Sequence, residues 1–288
     1  MAKEQATKKF GRGLVIDDDA VTAGLPRTSS LFGGGALKAP PSAMELTNSL
    51  PPIRNQGESS ACVGFAFQFA IDTRLSYLQK LQEPHSPLGL YSYGRMAALH
   101  DMGPKTKLVD EGSQPSLVVA AAMRWGLTTE ASWPFKIEEI NSVPPVDVLQ
   151  NASAFVPSGL YRVGGQGVTR LRAVKHALAN HYPVPFGTVV DSAFEDYTAK
   201  HPAKSKKQGI AYVSQASRTG PQDLHMLCIV GYEEADDAPD GVRFLIANSW
   251  GTDWGWRGFA WAGPDFITDD RARWFYTVTL ESREAVGV

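Results

Sequence analysis

The chain has 288 residues, 43% hydrophobic and 20% charged, with a formal net charge of −2 and a pI near 6.3. Such a composition supports a buried core, excludes wholesale disorder and offers no polyanion-binding surface, so nucleic acid is not an expected partner. Two cysteines exclude a disulfide scaffold. The longest apolar run, Leu117 to Met123, is far short of the roughly 20 residues that span a bilayer, so no membrane span is expected.

The opening residues are basic but lack an apolar stretch, so no secretory signal is expected and the cellular location stays open. Residues 1–37 differ in texture from the rest, with Asp17-Asp18-Asp19 and the run Gly33-Gly34-Gly35. Two readings compete for this extension. The glycine run favours a solvated tail. Phe10, Leu14, Val15, Ile16, Val21, Leu25, Leu31 and Phe32 favour a segment that folds back over an apolar surface. Pro40-Pro41 and Pro51-Pro52 then impose extended backbone.

A helix is expected over 61–79, apolar nearly all round in its first half and therefore deeply buried. Further helices are expected over 116–125, closed by Gly126, and over 168–180, where Leu171, Val174 and Leu178 recur at helical spacing. After about residue 180 the texture changes. The segments 184–190, 210–213, 226–232, 244–248 and 276–280 are short and rich in β-branched or aromatic residues, and read as strands. A helical first half and a sheet-rich second half predict an α+β fold of two lobes, divided as 38–152 and 153–288 after the extension 1–37. The basic stretch 200–207 reads as a solvated surface loop.

Three segments carry chemistry. Cys62 follows a loop and opens the buried helix, where the helix N-terminus and a nearby imidazolium favour a thiolate. The thiol is therefore expected to ionise below its free value of ~8.5. His225 opens an apolar strand and Asn248 ends another; together with Cys62 they form a nucleophile–base–orienter set. The Gln56 side chain and the Cys62 backbone N–H could donate to a developing oxyanion. Cys228 lies within an apolar strand and reads as core. His85, His100, His176, His181 and His201 show no metal-ligand spacing, and no metal or other cofactor is expected.

These segments resemble the papain-like cysteine peptidases. The resemblance rests on Gln56 and Cys62 with five residues between them, on His225 before an apolar strand ending in Gly231-Tyr232, and on Asn248-Ser249-Trp250-Gly251 followed by Trp254-Gly255 and Gly258-Phe259. Gly112-Ser113-Gln114-Pro115, Trp125-Gly126 and Trp133-Pro134-Phe135 extend it. It implies a helical lobe carrying Cys62, a barrel-like sheet lobe carrying His225 and Asn248, and a cleft between them that takes a polypeptide substrate. It also implies that Gly112, Ser113, Pro115, Leu224 and Met226 border the substrate, and that Trp250 shields the Asn–His hydrogen bond. Val63 stands where the family has Trp, and Ser59 where a disulfide cysteine is common, which resembles disulfide-free bacterial members. His225 and Asn248 lie further from Cys62 than the roughly 130–150 residues of papain and the cathepsins, so longer loops are needed. The implied activity is peptide hydrolysis through a thioester. Acyl transfer to an amine, or an inactive binding module on the same fold, are the alternatives. The extension 1–37 is the candidate intramolecular inhibitor.

Overall fold

The computed structural model describes residues 10–32, 39–99, 108–150, 154–197, 212–215 and 223–282. In chain order the elements are α1 (Asp19–Gly24), β1 (Ala43–Glu45), α2 (Cys62–Tyr77), α3 (Pro87–Ala98), α4 (Pro115–Trp125), α5 (Val146–Gln150), β2 (Phe155–Arg162), α6 (Gly167–Ala179), β3 (Val184–Val190), α7 (Ser192–Glu195), β4 (Tyr212–Val213), β5 (Asp223–Glu234), β6 (Val242–Ala247), β7 (Phe259–Ala262), α8 (Asp265–Thr268) and β8 (Tyr276–Ser282). The arrangement is the mixed, two-lobe one expected.

Helix α2 is the pivot. It has no polar stripe because three neighbours cover it. Val63, Phe67 and Ile71 pack with Val118, Val119 and Ala122 of α4 and with Tyr276 and Val278 of β8. Phe69 and Ala70 meet Cys228 and Val230 of β5 and Leu245 and Ala247 of β6. Phe65 packs with Leu88, Tyr91 and Trp133. At the far end of the helix the buried Asp72 carboxylate accepts from Gln68 Nε2 (2.5 Å) and pairs with His85 Nδ1 (2.5 Å), tying α2 to the start of α3.

The sheet lobe is built on β5. Its first half pairs antiparallel with β3, Thr188 standing opposite His225. Its second half pairs with β1 on one side and β6 on the other. Beyond β6 follow β7 and then β4, the last pair parallel. Both faces of β5 are covered, Leu227 and Ile229 by one core and Cys228 and Val230 by another, as the alternation in its sequence requires.

The division expected at residue 152 is crossed in both directions. β1, from the first half, pairs with β5. β2 and β8, from the second half, form their own two-stranded sheet, and Leu160 and Val278 enter the core beneath α2 and α4. The glycine run 33–35, the basic stretch 200–207, His100 and His201 lie outside the described residues.

Gly64 lets α3 approach α2. A Cβ there would overlap the Pro87 carbonyl oxygen and stand 2.9 Å from Tyr91 Cβ. Gly64→Ala should therefore destabilise the chain by about 1–3 kcal/mol through overpacking, although Ala favours a helix by about 1 kcal/mol. A thermal melt decides the sign, and a raised midpoint would contradict this packing.

Candidate active site

Cys62 is the first residue of α2, and the preceding Ala61 makes no side-chain cap. The first-turn N–H groups and the positive end of the helix therefore face the loop that carries the thiol. His225 is fully buried on β5. Its Nε2 donates to Asn248 Oδ1 at 2.9 Å, and the same oxygen accepts from Ser249 N at 2.7 Å. That pair of bonds fixes both the amide orientation and the imidazole tautomer, so Nδ1 carries the lone pair. Among the described residues Nδ1 has no hydrogen-bond partner. The Trp250 ring stacks on the imidazole, centroids 4.7 Å apart, and both rings are buried. Met226, next to His225, sends a backbone hydrogen bond to the Cys62 sulfur, so thiol and imidazole belong to one cluster.

Gln56 is equally buried. Its Oε1 accepts from Ser249 Oγ at 2.6 Å, and its backbone N–H donates to Ser249 O at 2.8 Å. The amide nitrogen therefore points towards the cleft, where it donates to Ser59 O (2.7 Å) and to Gly11 O (3.1 Å).

That last partner belongs to the N-terminal extension, which threads the cleft. Phe10 stacks on Trp250 at 4.7 Å, nearly parallel. Gly11 N donates to Gly57 O (2.8 Å), and Trp250 Nε1 donates to Gly11 O (3.3 Å). Arg12 forms ion pairs with Glu195 and, at 2.6 Å, with Asp223. The Gly13 backbone N–H stands beside the Cys62 sulfur, where it favours the charged form of the thiol. Ser113 then clasps the strap through both backbone groups, Ser113 N to Gly13 O and Val15 N to Ser113 O, each 3.0 Å. Leu14 is buried with Met226, Leu160 and Tyr276, and Leu224 and Trp274 pack against that cluster. The Asp17 carboxylate anchors the far end. It accepts from Ser116 N and Ser116 Oγ at the start of α4 and from Tyr276 OH.

The residues named from the sequence thus meet around one strip of chain. Gly112 and Ser113 lie beneath it, Leu224 and Met226 pack in the cluster that holds Leu14, and Pro115 begins the helix that Asp17 caps. Sequence reasoning missed Arg12, Asp17, Glu195, Asp223 and Tyr276, whose roles come from the path of the strap and carry no local motif. It missed Gly11 and Gly13 as well, though a glycine on either side of an arginine was a legible sign. A Cβ on Gly11 would overlap Ser59 O, and one on Gly13 would overlap Ser60 O.

The expected low thiol pKa is corrected in this state. Burial under the strap pushes the Cys62 thiol up to about 11, against the opposing pull of backbone hydrogen bonds from Met226, Gly13 and Val63. Burial also holds the His225 imidazole down at about 3, against the Asn248 hydrogen bond and with help from the Arg12 charge. Thiol and imidazole are both neutral beneath the strap at neutral pH. Burial raises the Cys228 thiol too, and that residue is core, as expected. His85 is a buried structural partner of Asp72.

With this geometry in place, the comparisons with known proteins agree. The family model "Papain family cysteine protease" matches residues 41–265, and the chain belongs to that family. It is 28% identical over 221 residues to the gamete and mating-type specific protein A of Dictyostelium discoideum, covering 75% of this chain and 41% of that protein. The chain spans about half the length of the curated relatives it matches. Among solved structures it resembles xylellain, a cysteine protease from Xylella fastidiosa, with a TM-score of 0.68 at 20% identity, covering 94% of this chain and 97% of that one. It also resembles digestive procathepsin L 3 of Tenebrio molitor larval midgut, with a TM-score of 0.64 at 15% identity over 94% and 76% of the two chains.

Valine at position 13 cannot seat under Ser60, so Gly13→Val should lift the strap from the full chain. In the parent, alkylation of Cys62 should be slow at pH 6 and climb only towards alkaline pH. In the variant it should already be fast at pH 6, because an exposed thiol beside an imidazole ionises well below ~8.5. Mass-spectrometric labelling rates across pH test this, and identical profiles would mean that the strap does not govern access.

Proposed function

We propose that this chain is a cysteine endopeptidase held inactive by its own N-terminal strap. The observation that carries the reading is the His225–Asn248 bond, which fixes the imidazole with Nδ1 as the basic nitrogen in the cluster that contains the Cys62 thiol. Once uncovered, the thiol gives its proton to Nδ1, and the resulting ion pair is stabilised by the α2 N-terminus. The thiolate attacks a peptide carbonyl carbon, and an S–C bond forms as the carbonyl π pair moves to oxygen. Gln56 Nε2 and the Cys62 N–H donate to that oxyanion. Collapse breaks the C–N bond, and the imidazolium protonates the departing amine. Water then attacks the thioester and gives a proton to His225, and the thiolate leaves as the acid is released. Endopeptidase action is supported by the strap itself. Residues 10–17 run from Trp250 past Cys62 to Ser116, so the cleft admits chain on both sides of the nucleophile.

The strap is placed to inhibit rather than to react. It presents an N–H of Gly13 to the sulfur, which is a hydrogen-bond donor and not an electrophile, and the carbonyl that Gln56 grips belongs two residues away to Gly11.

Tests belong in the Gly13→Val full chain, since Gln56 also holds the strap. Cys62→Ala should abolish hydrolysis of an unfolded protein substrate while the circular dichroism spectrum is retained. Asn248→Ala should cost less than His225→Ala, because the base is misaligned but still present. Gln56→Ala should slow acylation by roughly 10²–10³, and an effect on KM alone would remove it from the oxyanion role. Product analysis with added amines separates hydrolysis from acyl transfer.

A further inference from the structure

The strap's arginine marks a recognition site. Arg12 is almost fully buried, its side chain 7% exposed, between two carboxylates from different elements. Nη2 engages Glu195, the last residue of α7, and Nη1 engages Asp223, the first residue of β5, two positions ahead of His225. α7 is itself pinned, because Asp191 caps it through Phe194 N at 3.0 Å and Phe194 packs edge-on against Trp250. Glu195 is therefore held relative to the same indole that covers His225. Arg12 immediately precedes Gly13, whose backbone lies on the Cys62 sulfur, so the two carboxylates stand within one side chain's reach of the nucleophile.

We infer that Glu195 and Asp223 form a specificity clamp for a basic side chain of the polypeptide substrate, occupied by Arg12 while the strap is seated. This rests on the peptidase reading above. Withdrawal of the strap takes one guanidinium away from both carboxylates, and a substrate that brings another restores two charge-assisted bonds in a partly desolvated place. The carboxylates are engaged by separate guanidinium nitrogens, a fork that lysine's single ammonium cannot reproduce, so arginine is preferred to lysine. Leu14, two residues along, fills an apolar recess bounded by Gly187 and Trp274. The preferred substrates carry an arginine two residues from a branched aliphatic residue.

The experiment uses the full chain with Gly13→Val and fluorogenic peptides containing Leu-Gly-Arg or Arg-Gly-Leu, each with a citrulline counterpart that keeps the shape and removes the charge. kcat/KM should be about tenfold or more higher for arginine than for citrulline in at least one order, with lysine between. The ratio should fall to about twofold or less when Glu195→Gln and Asp223→Asn are added. Equal cutting of arginine and citrulline peptides, or a ratio that survives the double substitution, overturns the clamp and leaves the peptidase reading standing. If no peptide is cut although Cys62 alkylates readily, the peptidase reading fails. Protection of Cys62 from iodoacetamide by the same peptides then decides the clamp alone, arginine-dependent protection supporting it and equal protection overturning it.

Discussion

A gap too narrow for a side chain decides the chemical state of this site. Between α2 and the sheet lobe the strap passes Ser59 and Ser60 so closely that only glycine fits at positions 11 and 13. Because the backbone itself lies on the Cys62 sulfur, water is excluded from the thiol and from His225 alike. The two groups that form an ion pair in the proposed mechanism are kept neutral by one act of desolvation. The helix N-terminus that stabilises a thiolate is present throughout. It is outweighed for as long as the strap is seated.

The strap's attachment is divided between the lobes, and this shapes how it can be released. Ser113, Ser116 and Tyr276 hold Gly13 to Asp17 against the helical side, while Glu195, Asp223 and Trp250 hold Phe10 to Arg12 against the sheet side. A chain that bridges the cleft keeps the lobes in register only as long as both ends are seated. The bonds at the helical end go largely to backbone or to a buried carboxylate. At the other end are two ion pairs, an aromatic stack and the hydrogen bonds of Gly11 with Gly57, Gln56 and Trp250.

The sequence carried α2, α4, α6 and β3 almost to their observed bounds, because burial on a helix and alternation on a strand leave strong periodic traces. It also carried Gln56 with Cys62, His225 and Asn248, which one fold brings together from three separated segments. Helix α3 left no such trace. Gly89 and Gly94 lower its propensity, and they are present because Thr128 and Val118 approach the helix where a Cβ would stand. The pairing of β2 with β8 and the return of the chain terminus to the helical lobe are non-local, and alternation alone does not name a partner strand. The competing readings of residues 1–37 were separable only by where the apolar residues go. Leu14 is buried and Phe10 half-buried against the site, while Val15, Ile16 and Val21 face outward on the same segment.

That split along the strap has a physical reading of its own. If residues 10–17 served only to fill the cleft, a uniformly apolar stretch would do it, at the cost of solubility when released. The observed segment alternates instead. Phe10 and Leu14 fill the two recesses, Gly11 and Gly13 let the backbone reach Gly57, Ser113 and the thiol, and Arg12 and Asp17 bring opposite charges to opposite ends. Each position answers one feature of the wall it meets, which is what a bound polypeptide must also do. The strap therefore reads as a template of what the cleft accepts, apart from one feature. Where, in the proposed mechanism, a substrate offers the sulfur a carbonyl carbon, the strap offers an N–H, and that reversal of polarity at Gly13 is what would separate an inhibitor from a substrate on the same surface.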